Sequence, residues 1–196
     1  AIVGALCSGS SIASANNVAI PNGVVMVSPA STSPAITGLD DNGLFSRTAP
    51  SDARQGQVLA SLLYGMGIEE VAVSYVNNDY GKGFADAFMN AFEMQGQAVV
   101  LLSAGHEGDK ADYSAEVAAL AATGAEHLVV LGYLNQGGNQ ILDGAIKSGA
   151  FSSYSGGDGM YGQSLIDELG DGIEGMIVTA PGGDSVGAEM WKAVAT

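Results

Sequence analysis

Basic residues are scarce in this 196-residue sequence: six Lys and Arg stand against 21 Asp and Glu, for a formal charge of −15. A field of that sign repels phosphate backbones and anionic lipid, and no basic block offsets it. Neither nucleic acid nor a membrane surface is expected as a partner. Cysteine is limited to Cys7, which excludes an internal disulfide framework and any multi-cysteine metal site but leaves the compartment open. Histidine is limited to His106 and His127, so pairings of nucleophile and base are few. His127 opens an apolar strand and is expected to be packed there, whereas His106 lies in an acidic loop expected to be exposed. A metal site on His106, Glu107 and Asp109 is set aside in favour of a solvated charge run. Long apolar runs are missing as well: Val71 to Val76 and Ala98 to Leu102 fall far short of the roughly 20 residues of a membrane span. The opening Ala1 to Leu6 reads as a buried strand, without the basic start or longer apolar stretch of a signal peptide.

What is present is enough hydrophobic residue, 47%, for a real core. Short β-rich runs at Ala1–Ala5, Val24–Val27, Leu44–Thr48, Val71–Val76, Ala98–Leu102, Leu128–Leu131 and Gly175–Ala180 alternate with stretches of helical period. The helical positions are Val58, Leu59, Leu62, Leu63 and Met66, then Phe84, Phe88, Ala91 and Phe92, then Ile141, Leu142, Ala145 and Ile146. Strands apolar on both faces, separated by amphipathic helices, predict an α/β fold with parallel sheets covered on each side. Many of the 29 glycines fall where helices stop, at Gly65, Gly67, Gly96, Gly124, Gly149, Gly170 and Gly172, as C-terminal caps do. Ser51 and Asp112 are placed to cap the helices that follow them. Arg47–Pro50 and Thr179–Gly183 each follow a strand and carry a proline, which suits a loop or a crossing between lobes.

Ligands of parallel α/β sheets bind at the carboxyl ends of the strands. Four polar loops lie there: Cys7–Ser11, Ser28–Thr32, Asn77–Gly81 and Gly156–Tyr161. Together they offer hydroxyls, helix N-termini, a phenol and one carboxylate, a polar complement for a zwitterion: hydroxyls and backbone N–H for a carboxylate, Asp158 and a tyrosine face for an ammonium. Read singly, the same residues are helix caps and Asx turns. Two G-x-G-x-x-G matches occur. Gly170–Gly175 runs from helix to strand, the reverse of the dinucleotide context, and in Gly157–Gly162 an aspartate would sit against a pyrophosphate. No Walker lysine motif, G-x-S-x-G elbow or H-E-x-x-H helix is found, and no cofactor is expected.

These loops, in this order, resemble the periplasmic substrate-binding proteins of ABC transporters of the branched-chain amino acid (Leu/Ile/Val) type. The matching text is Cys7-Ser8-Gly9-Ser10, Val27 to Pro34, Phe45 to Pro50 with Gln55-Gly56, Asp79 to Gly83, Asp112-Tyr113-Ser114, Gly157-Asp158-Gly159, and Glu174-Gly175-Met176 with Thr179. The resemblance implies a type I periplasmic-binding fold: two α/β lobes joined by crossing strands that close on an amino acid, the closed form docking on a membrane permease. It places 1–50 in the first lobe, 51–178 as the second and 179–196 as a return to the first, within an internal fragment. It implies that Ser8, Ala30 and Thr32 hold the ligand carboxylate while Ser28 and Ser31 support that loop. Tyr80 corresponds to the aromatic residue reaching over from the second lobe. Asp158 stands where the family commonly has the Glu that pairs with the ammonium, and Tyr133 is the candidate for a further aromatic. Cys7 is implied to be half of a disulfide with an upstream partner. The resulting expectation is a periplasmic solute-binding protein, not an enzyme, for a neutral amino acid. The alternatives are a sensor domain on the same fold and a nucleotide-dependent enzyme using Gly157–Gly162.

Overall fold

A β-run that is apolar on both faces must be covered on both, and the intervening helices are long enough to do so only if successive strands run parallel. The computed structural model, which describes residues 1–182, has this arrangement in two separate sheets. The first holds β1 (Ile2–Val3), β2 (Met26–Ser28) and β3 (Phe45–Arg47), all parallel, in the order β1-β2-β3. Its helix α1 (Ser8–Ser14) and the turns after it close a small core of Ala15, Ala19, Met26, Ile36 and Phe45.

Between Arg47 and Asp52 the chain passes to the second sheet. Ser51 caps α2 (Asp52–Gly65) by accepting from the Ala53 amide, as its sequence position suggests. There follow β4 (Glu70–Val76), α3 (Asp79–Glu93), β5 (Val99–His106), α4 (Ser114–Ala121), β6 (His127–Leu131), α5 (Asn139–Ser148), β7 (Ser153–Gly156), α6 (Gln163–Leu169) and β8 (Ile177–Val178). The five strands are parallel in the order β5-β4-β6-β7-β8. On one face α2 and α3 bury Leu59, Leu63, Phe84, Phe88 and Phe92 against β4 and β6. On the other, Val117, Leu120, Ile141, Leu142 and Ala145 of α4 and α5 pack with Leu128 and Val130. Each large side chain so buried is worth about 1.5–3 kcal/mol. Val58, Leu62 and Met66 lie on the outer side of α2 and stay partly exposed, so only Leu59 and Leu63 of that periodic set are core.

Two elements differ from the sequence reading. β5 continues four residues past Leu102, because an edge strand with one partner need not remain apolar to remain paired; Ser103 to His106 pair with Val73 to Val76. β7, Ser-Tyr-Ser-Gly, is too polar to be counted among the apolar runs, yet it lies between β6 and β8. His127 makes this tolerable. It is buried, its Nδ1 is 2.7 Å from Ser153 Oγ and its Nε2 is 2.9 Å from Ser155 Oγ. Burial holds its pKa down at about 4, so both hydroxyls are satisfied by a neutral ring. Five of the seven glycines read as helix stops, Gly67, Gly96, Gly124, Gly149 and Gly170, have positive φ, and Gly149 closes α5 in the left-handed region. Gly65 is instead the last residue of α2. The expected return segment falls largely on 183–196, outside the described residues.

Candidate functional site

The first-sheet side is built from hydroxyls. The loop after β1 has its carbonyls held by serine side chains: Ser28 Oγ donates to Ala5 O at 2.7 Å, and Ser31 Oγ lies 3.1 Å from Leu6 O and 2.8 Å from Ser11 Oγ. Ser28 Oγ also accepts from the Ser31 amide at 3.0 Å. Ser28 and Ser31 are therefore buried inside the loops, tying the end of β1 to the end of β2. Ser8 is buried and accepts from the Ser33 amide. Ala30 is exposed, and Thr32 is buried. No side chain caps α1.

The second-sheet side carries aromatic rings and charge. Asn78 caps α3 through the Tyr80 and Gly81 amides, which fixes Tyr80 on the first turn. The Tyr80 phenol donates to Asp158 Oδ1 at 2.8 Å and accepts from the Gly159 amide at 3.2 Å. Its ring stacks on Tyr133, centroids 4.7 Å apart, and meets Phe84 edge-on. Burial is the main cause that raises both phenols above their ordinary pKa, with Asp158 adding to it, so both stay neutral donors. Gln55 reaches Asp158 Oδ1 from α2 at 3.2 Å and the Thr179 carbonyl at 2.8 Å.

Asp52 joins the two sides. Its amide donates to Thr32 O at 2.9 Å, and its carboxylate is fully buried with no completed hydrogen bond to either oxygen. Desolvation pushes its pKa up to about 7; the neighbouring Thr32 hydroxyl pulls downward, Asp158 adds to the rise and Arg47 opposes it. Arg47 cannot neutralise it by direct pairing, because its guanidinium donates to the Ser33 carbonyl and the Thr37 hydroxyl.

The structure thus brings Tyr80, Tyr133 and Asp158 into one cluster and links Thr32 to it through Asp52. Ser8, Ser28 and Ser31 stand behind or beside that junction, and Ala30 lies at the surface. The sequence reading missed Asp52 as a site group, because an acid at the first position of a helix is ordinarily explained by the helix dipole. It also missed the contact of Gln55 with Asp158. The Asp158 carboxylate engages Tyr80 and Gln55 within the Gly157–Gly162 turn, where a pyrophosphate would have to sit. His106 is a correction: it is not exposed but 1% accessible, the last residue of β5, with Nδ1 2.8 Å from Ser74 Oγ. Its pairing with β4 draws it into the sheet, and burial lowers its pKa. Among the described residues no group of three His, Cys, Asp or Glu could hold a metal ion, and no helix is long and apolar enough to cross a membrane.

Comparison with known proteins gives the same architecture. The leucine-specific-binding protein of Salmonella typhimurium is 30% identical over 181 residues, which are 92% of this chain and 48% of that protein. The crystal structure of a leucine-binding protein, LivK, from Thermotoga maritima MSB8 superposes with a TM-score of 0.87 at 27% identity, covering all of this chain and 56% of the other. An ABC transporter substrate-binding protein from Desulfitobacterium hafniense, in complex with Leu, superposes at 0.66 with 28% identity over 81% of this chain and 47% of its own. The chain spans about half the length of these relatives. The fold is that of type I periplasmic binding proteins. Residues 1–170 match the model of the receptor family ligand binding region, and the chain belongs to that family.

Proposed function

We propose that this chain forms the ligand-closing part of a periplasmic solute-binding protein that captures a neutral amino acid, leucine or a close analogue, and delivers it to the permease of an ABC transporter. The observation that carries this reading is the cluster of buried Tyr80 with the partly buried Asp158 and Tyr133, facing Asp52 and uncharged, hydroxyl-rich loops. That arrangement offers acid and aromatic faces to an ammonium on one side, and hydroxyls with an uncapped helix start to a carboxylate on the other. In this reading residues 1–50 belong to one lobe and 51–178 to the other. In this reading Ser8, Ala30 and Thr32 receive the carboxylate and Ser28 and Ser31 brace them. Tyr80 and Tyr133 cover the ammonium, which Asp158 and Asp52 neutralise.

The mechanism is binding coupled to closure, not catalysis. Contacts made to both lobes exist only in the closed form, so the ligand shifts the population toward it. Charge-assisted bonds of about 1.5–3 kcal/mol each suffice for micromolar affinity, which needs roughly −8 kcal/mol. The likeness to relatives named for leucine binding supports leucine as the first ligand to try.

The test is a thermal-shift and calorimetric screen of the complete protein against the twenty amino acids, urea, short amides, NAD and ATP. At about 100 times Kd a ligand adds roughly 2.7 kcal/mol, a shift of several degrees. Stabilisation by a neutral amino acid, lost in Asp158→Asn, is the expected result. A response to a nucleotide alone would overturn the proposal.

A further inference from the structure

Away from the ligand-facing residues, the two lobes meet along a seam between the Ser33–Gly38 turn and the first turns of α3. Ser33 is fully buried there. Its amide donates to Ser8 Oγ at 3.1 Å and its carbonyl accepts from Arg47 at 2.8 Å, so its backbone is fixed from the first-lobe side. Its hydroxyl crosses the seam and donates to the Asp79 carbonyl at 2.8 Å. That carbonyl belongs to the residue before Tyr80, at the start of α3.

Two glycines allow the approach, one from each side. A Cβ on Gly83 of α3 would stand 2.8 Å from Pro34 Cδ and 3.1 Å from Ser33 Oγ. A Cβ on Gly9 of α1 would stand 2.9 Å from Asp79 Oδ2. Pro34 is a rigid ring at the start of its turn and cannot swing aside, so a methyl at position 83 opposes contact of the lobes.

We infer that Ser33 and Asp79, with Gly9 and Gly83 beside them, form a ligand-independent latch that sets how often the lobes are closed, and so tunes affinity without touching the ligand. This rests on the two-lobe binding reading above. Apparent Kd equals the intrinsic Kd divided by the closed fraction, so a contact made only on closure strengthens binding of every ligand the site accepts by the same factor. A latch of this kind does not select among amino acids, and this separates it from Asp158 and the tyrosines.

The decisive variant is Gly83→Ala in the complete protein. Alanine favours a helix interior over glycine, so the melting temperature of the unliganded protein holds or rises. The closed fraction, read by a fluorophore pair with one dye on each lobe, falls, and L-leucine, L-isoleucine and L-valine all bind about tenfold more weakly. Ser33→Ala, which removes the crossing hydroxyl and with it the cap on the Ala35 amide but adds no clash, produces a smaller uniform loss of about threefold. Unchanged closed fraction in both variants overturns the latch, as does a loss confined to one of the three amino acids. If the wild type binds none of the three, the ligand reading fails separately. The latch is then decided by the closed fraction without ligand.

Discussion

In the proposed two-lobe reading, the two walls of the cleft solve opposite problems. The first-lobe wall is electrically neutral and self-satisfied: Ser11, Ser28 and Ser31 use their hydroxyls on one another and on the carbonyls of Ala5 and Leu6. The second-lobe wall carries Asp158 beneath two stacked tyrosines, and the buried carboxylate of Asp52 lies between the walls with no completed hydrogen bond. A buried carboxyl group whose oxygens lack a completed hydrogen bond is costly, and such groups cluster at functional sites. In the proposed reading the neutral wall is rigid before binding, whereas the charged side is completed by the ligand.

The comparison breaks most severely if the support of the charged wall is removed. Phe84 lies fully buried under Tyr80, and a Cβ at Gly157 would come within 2.2 Å of its ring. Phe84→Ala should cost about 3–5 kcal/mol of unfolding free energy by denaturant titration, in the range for a buried aromatic. A cost below about 1 kcal/mol would show that this core does not hold the wall.

The pH response of Asp52 sharpens the contrast next. Its folded pKa of about 7 lies above the ordinary carboxylate value of 3.8, so the native state holds more protons than the unfolded chain between those values. Its contribution is therefore most favourable below about pH 4 and is lost as pH rises through 7. A bound ammonium reverses this by favouring the carboxylate. Calorimetry at pH 6 in buffers of different ionisation enthalpy should record proton release on binding, and affinity should rise between pH 5 and 7. Asp52→Asn should abolish both effects and stabilise the unliganded protein at pH 8. Proton uptake on binding would contradict the assignment.

The smallest effect belongs to the neutral wall. Ser28→Ala removes a hydroxyl that bonds Ala5 O and the Ser31 amide, both inside the loop. It should lower stability by about 1–3 kcal/mol and change ligand affinity less than threefold. An affinity loss matching that of an Asp158 variant would mean that Ser28 meets the ligand directly.

The apolar strands and the amphipathic helices were legible because burial on both faces leaves a direct mark on residue type. β7 was nearly illegible, since its serines are tolerated only through His127, 26 and 28 residues away in sequence. His106 was misread for a related reason: the acidic residues after it suggest solvent, but pairing with β4 decides its burial. In the site, Tyr80 and Asp158 stood out as an aromatic and an acid in strand-end loops. Asp52 did not, because a helix-start acid has a sufficient local explanation.

By itself the sequence determined the alternation of strand and helix, the parallel sheets, and the loops in which polar chemistry gathers. These follow from composition and local period. Only the tertiary structure decided which of those groups meet: that Asp158 is reached by Gln55 across 103 positions and by Tyr80 across 78, that Asp52 is buried with neither carboxylate oxygen in a completed hydrogen bond, and that Ser33 bridges to Asp79. The reason is that strand order and lobe contact set distance and desolvation, and those two quantities turn an ordinary acid or hydroxyl into a site.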